Sequence, residues 1–97
     1  MGQLILKTDQ PDKASKVLLE ALESATLRFE YSLDLAQKRL LKFESKYNIS
    51  SEEFMNTLTA EDLSGKDMEY IEWVGEYQLS LNMKEYLNIL KNIEHVT

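Results

Sequence analysis

Between Asp12 and Tyr47 the chain contains neither glycine nor proline, and its apolar side chains keep a helical beat throughout. Leu18, Leu22, Ala25, Phe29, Leu33, Ala36, Leu40, Phe43 and Tyr47 follow one another at steps of three or four residues. Steps of three and four place side chains on one face of an α-helix. The steps from Ala25 to Phe29 and from Phe29 to Leu33 are both fours, a stutter that locally unwinds a coiled-coil seam without ending the helix. Asp9, Gln10, Pro11 and Asp12 open the segment. Proline suits the first turn, Asp9 is the expected cap, and Asp12 places negative charge at the positive end of the dipole. A helix over residues 10–47 would run about 55 Å at 1.5 Å per residue. A compact domain of this size has a radius of gyration near 12–13 Å, so such a helix overhangs its own globule. An overhanging apolar stripe needs a cover, and a two-fold dimer is the simplest one.

The stretch Lys46-Tyr47-Asn48-Ile49-Ser50-Ser51-Glu52-Glu53-Phe54 turns the chain. Asn48 tolerates the left-handed conformation that stops a helix. Ser50 reads as the N-cap of the next helix, with Glu53 three residues on as a capping-box partner. Ile49 and Phe54 stand where a hydrophobic staple packs. A short helix is expected over 50–58, followed by a polar connection containing Gly65. The last helix is expected over 64–94, capped by Ser64 or Asp67. Its apolar residues form adjoining rows, Val74, Tyr77 and Leu81 beside Leu79, Met83, Tyr86, Leu90 and Ile93. Gly75 within it lowers helix propensity by about 1 kcal/mol against alanine, which suggests a close approach there.

Residues 1–9 form a separate arm. Gln3 to Thr8 has an apolar centre and polar ends, the pattern of a short strand, yet one strand leaves its backbone groups unpaired. Pairing with its copy across a dimer would satisfy them; docking as an extended arm is the alternative. The expected fold is therefore all-α and one domain: two long antiparallel helices joined through a short capped helix, with a short N-terminal β-strand offered to a dimer ribbon. Leu4, Leu6, Leu18, Leu22, Phe29 and Leu33 are the expected dimer interface.

Charge divides the chain. Residues 1–47 carry eight basic and seven acidic side chains, whereas residues 48–97 carry three basic and ten acidic, for a net charge of −6. An acidic half of this kind repels nucleic-acid phosphates and attracts basic partners. There is no cysteine, which removes disulfides, thiolate chemistry and zinc-finger spacings. No apolar run approaches the length of a membrane span, and the first residues lack the pattern of a secretion signal, so a cytoplasmic protein is expected.

Candidate chemistry is sparse. Glu69, Glu72 and Glu76 share a helix face, but the Glu-x-x-His companion of carboxylate di-metal bundles is missing, and a solvated or protein-contacting face explains them better. The single histidine, His95, has no partner in the pattern that would make it a base. No nucleophile elbow, phosphate-cradling loop or dinucleotide fingerprint occurs. No enzyme, metal or cofactor is expected. Trp73, with Tyr70 and Tyr77, reads as core, as partner anchors, or as both. A strand followed by a helix resembles ribbon-type DNA binders, with Gln3, Ile5 and Lys7 on one strand face and Lys13 and Lys16 nearby. The two moderate helices which that fold requires are not signalled before Tyr47.

Phe43-Glu44-Ser45-Lys46-Tyr47-Asn48-Ile49-Ser50-Ser51-Glu52-Glu53-Phe54, followed by Asp67-Met68-Glu69-Tyr70-Ile71-Glu72-Trp73 and by Tyr77, resembles a family of small prokaryotic helical proteins. That family is associated with toxin–antitoxin-like gene pairs, as the antitoxin. The resemblance implies a non-enzymatic, antitoxin-like module that neutralises a basic co-encoded toxin, and it transfers no catalytic residue. Joined to the charge layout, it makes Glu61, Asp62, Glu69, Glu72 and Glu76 the acidic partner-binding face, with Tyr70, Trp73 and Tyr77 as apolar anchors. A structural homodimer without a toxin is the competing reading, and ribbon-mediated DNA regulation is another.

Overall fold

The computed structural model describes residues 2–58 and 68–93, in which three α-helices follow one another: α1 (Pro11–Tyr47), α2 (Ser51–Thr57) and α3 (Met68–Lys91). The helix α1 is unbroken for 37 residues, straight through the stutter. At 1.5 Å per residue that is about 55 Å, and the long dimension of the molecule is 56 Å. Its radius of gyration is 18.8 Å, well above the roughly 12–13 Å of a compact chain this long. One helix sets the length of the whole molecule.

The start of α1 differs from expectation. Gln10, not Asp9, is the residue before the helix, and it provides no side-chain cap; Pro11 occupies the first turn. The Gln10 amide is taken instead by Thr8 Oγ1 at 3.1 Å. A proline in the first turn removes one donor that would otherwise need a partner, so the end is tolerated without a cap.

At the other end the corner forms as its residues dictate. Asn48 adopts φ 54° and ψ 44°, the left-handed conformation, and is the only non-glycine residue with positive φ among those described. Ser50 Oγ accepts the Glu53 amide at 3.1 Å. The Ser51 amide donates to Glu44 Oε2 at 2.7 Å, so a carboxylate from α1 helps cap α2. Ile49 packs against the cluster that contains Phe54, as a staple requires.

The helices α1 and α3 are antiparallel. Lys46 meets Glu69, Phe43 meets Trp73, Arg39 meets Glu76 and Phe29 meets Tyr86, so the partner on α3 advances as α1 recedes. The predicted stripe of α1 faces α3, with Ala36 and Leu40 buried at its centre. Leu40, Phe54 and Trp73 form the core cluster, bordered by Phe43, Tyr47, Met55, Leu58, Tyr70, Val74 and Tyr77. The core therefore sits at the corner end. By the same register Lys91, the last residue of α3, falls opposite about residue 24 of α1, and roughly 13 residues, some 20 Å of helix, project beyond it.

Two expectations are corrected. No strand forms among the described residues: 3–8 have no regular structure, and Leu4 is 87% exposed. A lone strand has nothing in its own chain to pair with. Gly75 makes no close approach either. Nothing lies within 4 Å of where its Cβ would stand, and its φ is not positive. Connection residues 59–67, including the proposed caps Ser64 and Asp67, lie outside the described residues.

Gly75→Ala should accordingly stabilise the chain by about 0.5–1 kcal/mol, the helix-propensity gain with no steric penalty. Urea denaturation followed at Trp73 measures it. A loss of stability would mean that the glycine serves a close contact.

Candidate functional site

The strongest constellation in the fold is aromatic. Trp73 has 0% of its surface exposed. Phe54 from α2 stacks on it at 3.8 Å between centroids and 11° between planes. From α1, Phe43 and Tyr47 flank it at 5.4 and 5.5 Å, also stacked. Tyr70 closes the cluster edge-on against both Phe54 and Tyr47. The buried indole N–H donates to Ser51 Oγ at 2.8 Å. An indole so placed must find an acceptor, and the first residue of α2 supplies one. Trp73 is thus a core residue that joins all three helices, not a surface anchor. Tyr70 and Tyr77 are half-buried at the rim of this cluster.

A shallow groove of about 690 Å³ lies beside the cluster, between α1 and α3. Arg39, Lys42, Phe43 and Lys46 line one wall, and Glu69, Glu72, Gly75 and Glu76 line the other. Arg39 Nη1 reaches Glu76 Oε1 at 3.0 Å, and Lys46 Nζ reaches Glu69 Oε1 at 2.6 Å. The Tyr47 hydroxyl donates to the second oxygen of Glu69 at 2.7 Å. The hydrogen bond from Lys46 holds the Glu69 carboxyl below the usual carboxylate range, assisted by that from Tyr47. The same bond to Glu69 raises Lys46 above the ordinary lysine value. Glu76 Oε2 is buried and accepts no hydrogen bond among the described residues.

The expected partner-binding residues thus fall into four groups. Glu69 and Glu76 are tied to α1 by ion pairs with Lys46 and Arg39, which depend on the register of α3 against α1 and are written in no local pattern. Glu72 is exposed on the outer edge of the groove. Tyr70, Trp73 and Tyr77 belong to the core or its rim. Glu61 and Asp62 lie outside the described residues. Two further carboxylates stand exposed at the same end, Glu52 and Glu53 in the first turn of α2. Ser51 is the residue that the sequence did not reveal: it read as a corner position, and its acceptor role depends on α3 arriving above it.

The expected dimer interface also divides. Phe29 and Leu33 are half-buried on the face towards α3, and the Phe29 ring meets Tyr86 at 5.4 Å. Leu18 remains 44% exposed, and Leu4 and Leu6 are open. Leu22, between these two groups, is half-buried.

Among the described residues no group of three His, Cys, Asp or Glu side chains is arranged to hold a metal. His95 lies outside them. No described helix is long and apolar enough to cross a membrane. The arrangement offers charged and apolar surface to other molecules. No family profile, curated protein or solved structure matches this chain.

Two measurements probe the geometry. Ser51→Ala leaves the indole N–H buried without its acceptor and should cost about 1–3 kcal/mol in urea denaturation; an unchanged midpoint would show that the bond is dispensable. Because Glu69 is depressed, its contribution is present above the ordinary carboxylate range and fades as pH falls through its lowered value. Because Lys46 is raised, its contribution is present below the ordinary lysine value and fades as pH climbs through the raised one. Glu69→Gln should flatten both limbs of the stability–pH curve, and salt should shrink the difference, since the pair is exposed at the surface.

Proposed function

We propose that this chain is a non-enzymatic protein-binding module of the antitoxin-like kind its corner motif resembles. Its partner would be a basic protein, bound at the corner end of the hairpin. The observation that carries the reading is the set of carboxylates which the fold leaves unused. Glu69 and Glu76 are neutralised by α1, yet Glu52, Glu53 and Glu72 stand exposed around the rigid aromatic cluster and enter none of the ion pairs among the described residues. Residues 48–97 keep a net charge of −7. Carboxylates grouped on a rigid support would oppose cationic side chains that hold phosphate in a nucleic-acid-cleaving or nucleotide-handling toxin. Complementary charge of this sort accelerates encounter and sets orientation.

The aromatic contribution is indirect. Trp73, buried beneath the surface, stiffens the platform, and the rims of Tyr70 and Tyr77 are the side chains placed to touch a partner. Homodimeric assembly is compatible with this role, because exposed apolar residues at Leu4, Ile5, Leu6 and Leu18 lie at the opposite end of α1.

The test is co-purification with a basic protein encoded beside this gene, followed by association kinetics at several salt concentrations. Glu53→Lys combined with Glu72→Lys should slow association by about tenfold or more and weaken its salt dependence. Binding indifferent to the double substitution and to salt would remove the acidic end from the interface.

A further inference from the structure

The core of this chain occupies one end of α1, and at the other end the same stripe runs on past α3, with Leu18 44% exposed and Leu22 half-buried. Leu18 and Leu22 carry on the row that Ala25, Phe29 and Leu33 present to α3, but α3 has ended. Helical periodicity places Ala14, Leu18, Ala21, Leu22 and Ala25 on one side of this segment. Its five charged residues, Asp12, Lys13, Lys16, Glu20 and Glu23, fall on the other. It is an amphipathic helix whose apolar side meets no helix of its own chain among the described residues.

We infer that a second copy of this chain supplies the cover, with the projecting segments 11–23 of two copies pairing antiparallel about a two-fold axis near Leu18. Each projecting segment then lies where α3 would have continued, in line with the end of the other copy's α3. Length favours this arrangement, since two equal overhangs placed antiparallel cover each other completely. Sterics exclude the parallel alternative on the same stripe: a parallel α1 would run into α3 at about residue 24. Antiparallel order also opposes the two helix dipoles.

The arm finds a place in the same assembly. Leu4, Ile5 and Leu6 precede α1 and are exposed, and so are Ile89 and Ile93 at the end of α3. In the antiparallel pair, the arm of one copy arrives beside the end of the other's α3. Apolar contact there enlarges the interface towards the roughly 800 Å² per partner of stable complexes. The arm docks against helices in this arrangement and needs no partner strand. The inference does not rest on the antitoxin-like reading, because it uses the end of α1 remote from Glu52, Glu53 and Glu72.

The chain has no cysteine, which makes single-cysteine crosslinking clean. In the full-length protein, Leu18→Cys should crosslink to its own copy on oxidation, because it stands at the axis. Leu6→Cys should not, because the arms leave α1 at Pro11, where the two copies stand roughly 20 Å apart on opposite sides of the axis. Light scattering should give twice the 11.3 kDa chain mass for the native protein. Leu18→Glu with Leu22→Glu should reduce it to one chain mass while Trp73 keeps the emission of a buried indole. A native mass of one chain, a dimer that survives the double substitution, or equal crosslinking at both positions would overturn the proposal.

Discussion

The hydrogen bond from the Trp73 indole to Ser51, inside a stack of Phe43, Tyr47 and Phe54, is the constraint on which the hairpin depends. Each partner comes from a different part of the chain: Phe43 and Tyr47 close α1, Ser51 and Phe54 open α2, and Trp73 sits in the second turn of α3. Burying a tryptophan removes a large apolar surface from water, and its one polar atom demands an acceptor. The contact can form only when the left-handed turn at Asn48 has redirected the chain and α3 has returned over α2. Backbone geometry, capping and packing thus agree at a single point. Such agreement is what lets a 97-residue chain fold around so few buried side chains.

The asymmetry of the molecule follows from that concentration. Stacked aromatic rings, ion pairs from Arg39 and Lys46, and the caps of α2 all lie in the half of α1 nearest the corner. Towards its N-terminus, α1 is held by fewer contacts and then by none from α3. Isolated helices of a dozen residues are marginal in water, because nucleation is costly and each added hydrogen bond returns little. A projecting apolar segment therefore gains its order from whatever covers it. The two ends of this protein differ: at one, exposed carboxylates stand near a buried aromatic cluster, and at the other the apolar stripe of α1 extends past the end of α3.

Much of this was legible in the sequence, for identifiable reasons. The three- and four-residue steps from Leu18 to Tyr47 gave the long helix, because period is a property of local order alone. Asn48, Ser50 and Glu53 gave the corner, since caps act within a few residues. Features that need two distant segments were harder to read. The pairing of Glu69 with Lys46, and of Glu76 with Arg39, depends on the register of α3 against α1, which no local pattern encodes. Ser51 accepts a hydrogen bond from a residue 22 positions away. The Gln3–Thr8 strand failed for the converse reason, because its apolar centre describes a wish to be covered and not the partner that covers it. Gly75 read as a packing signal, yet the space around it within the chain is open.

If a second chain covers the projecting end of α1, order in that helix has two sources, the corner at one end and the other copy at the other. Amide hydrogen exchange measured across a dilution series tests it most directly. Residues 36–47 and 70–83 should show strong protection at every concentration. Protection for residues 12–23 should fall steeply on dilution. Equal and concentration-independent protection along the whole of α1 would contradict it, because the projecting segment would then hold its structure without help from a second chain.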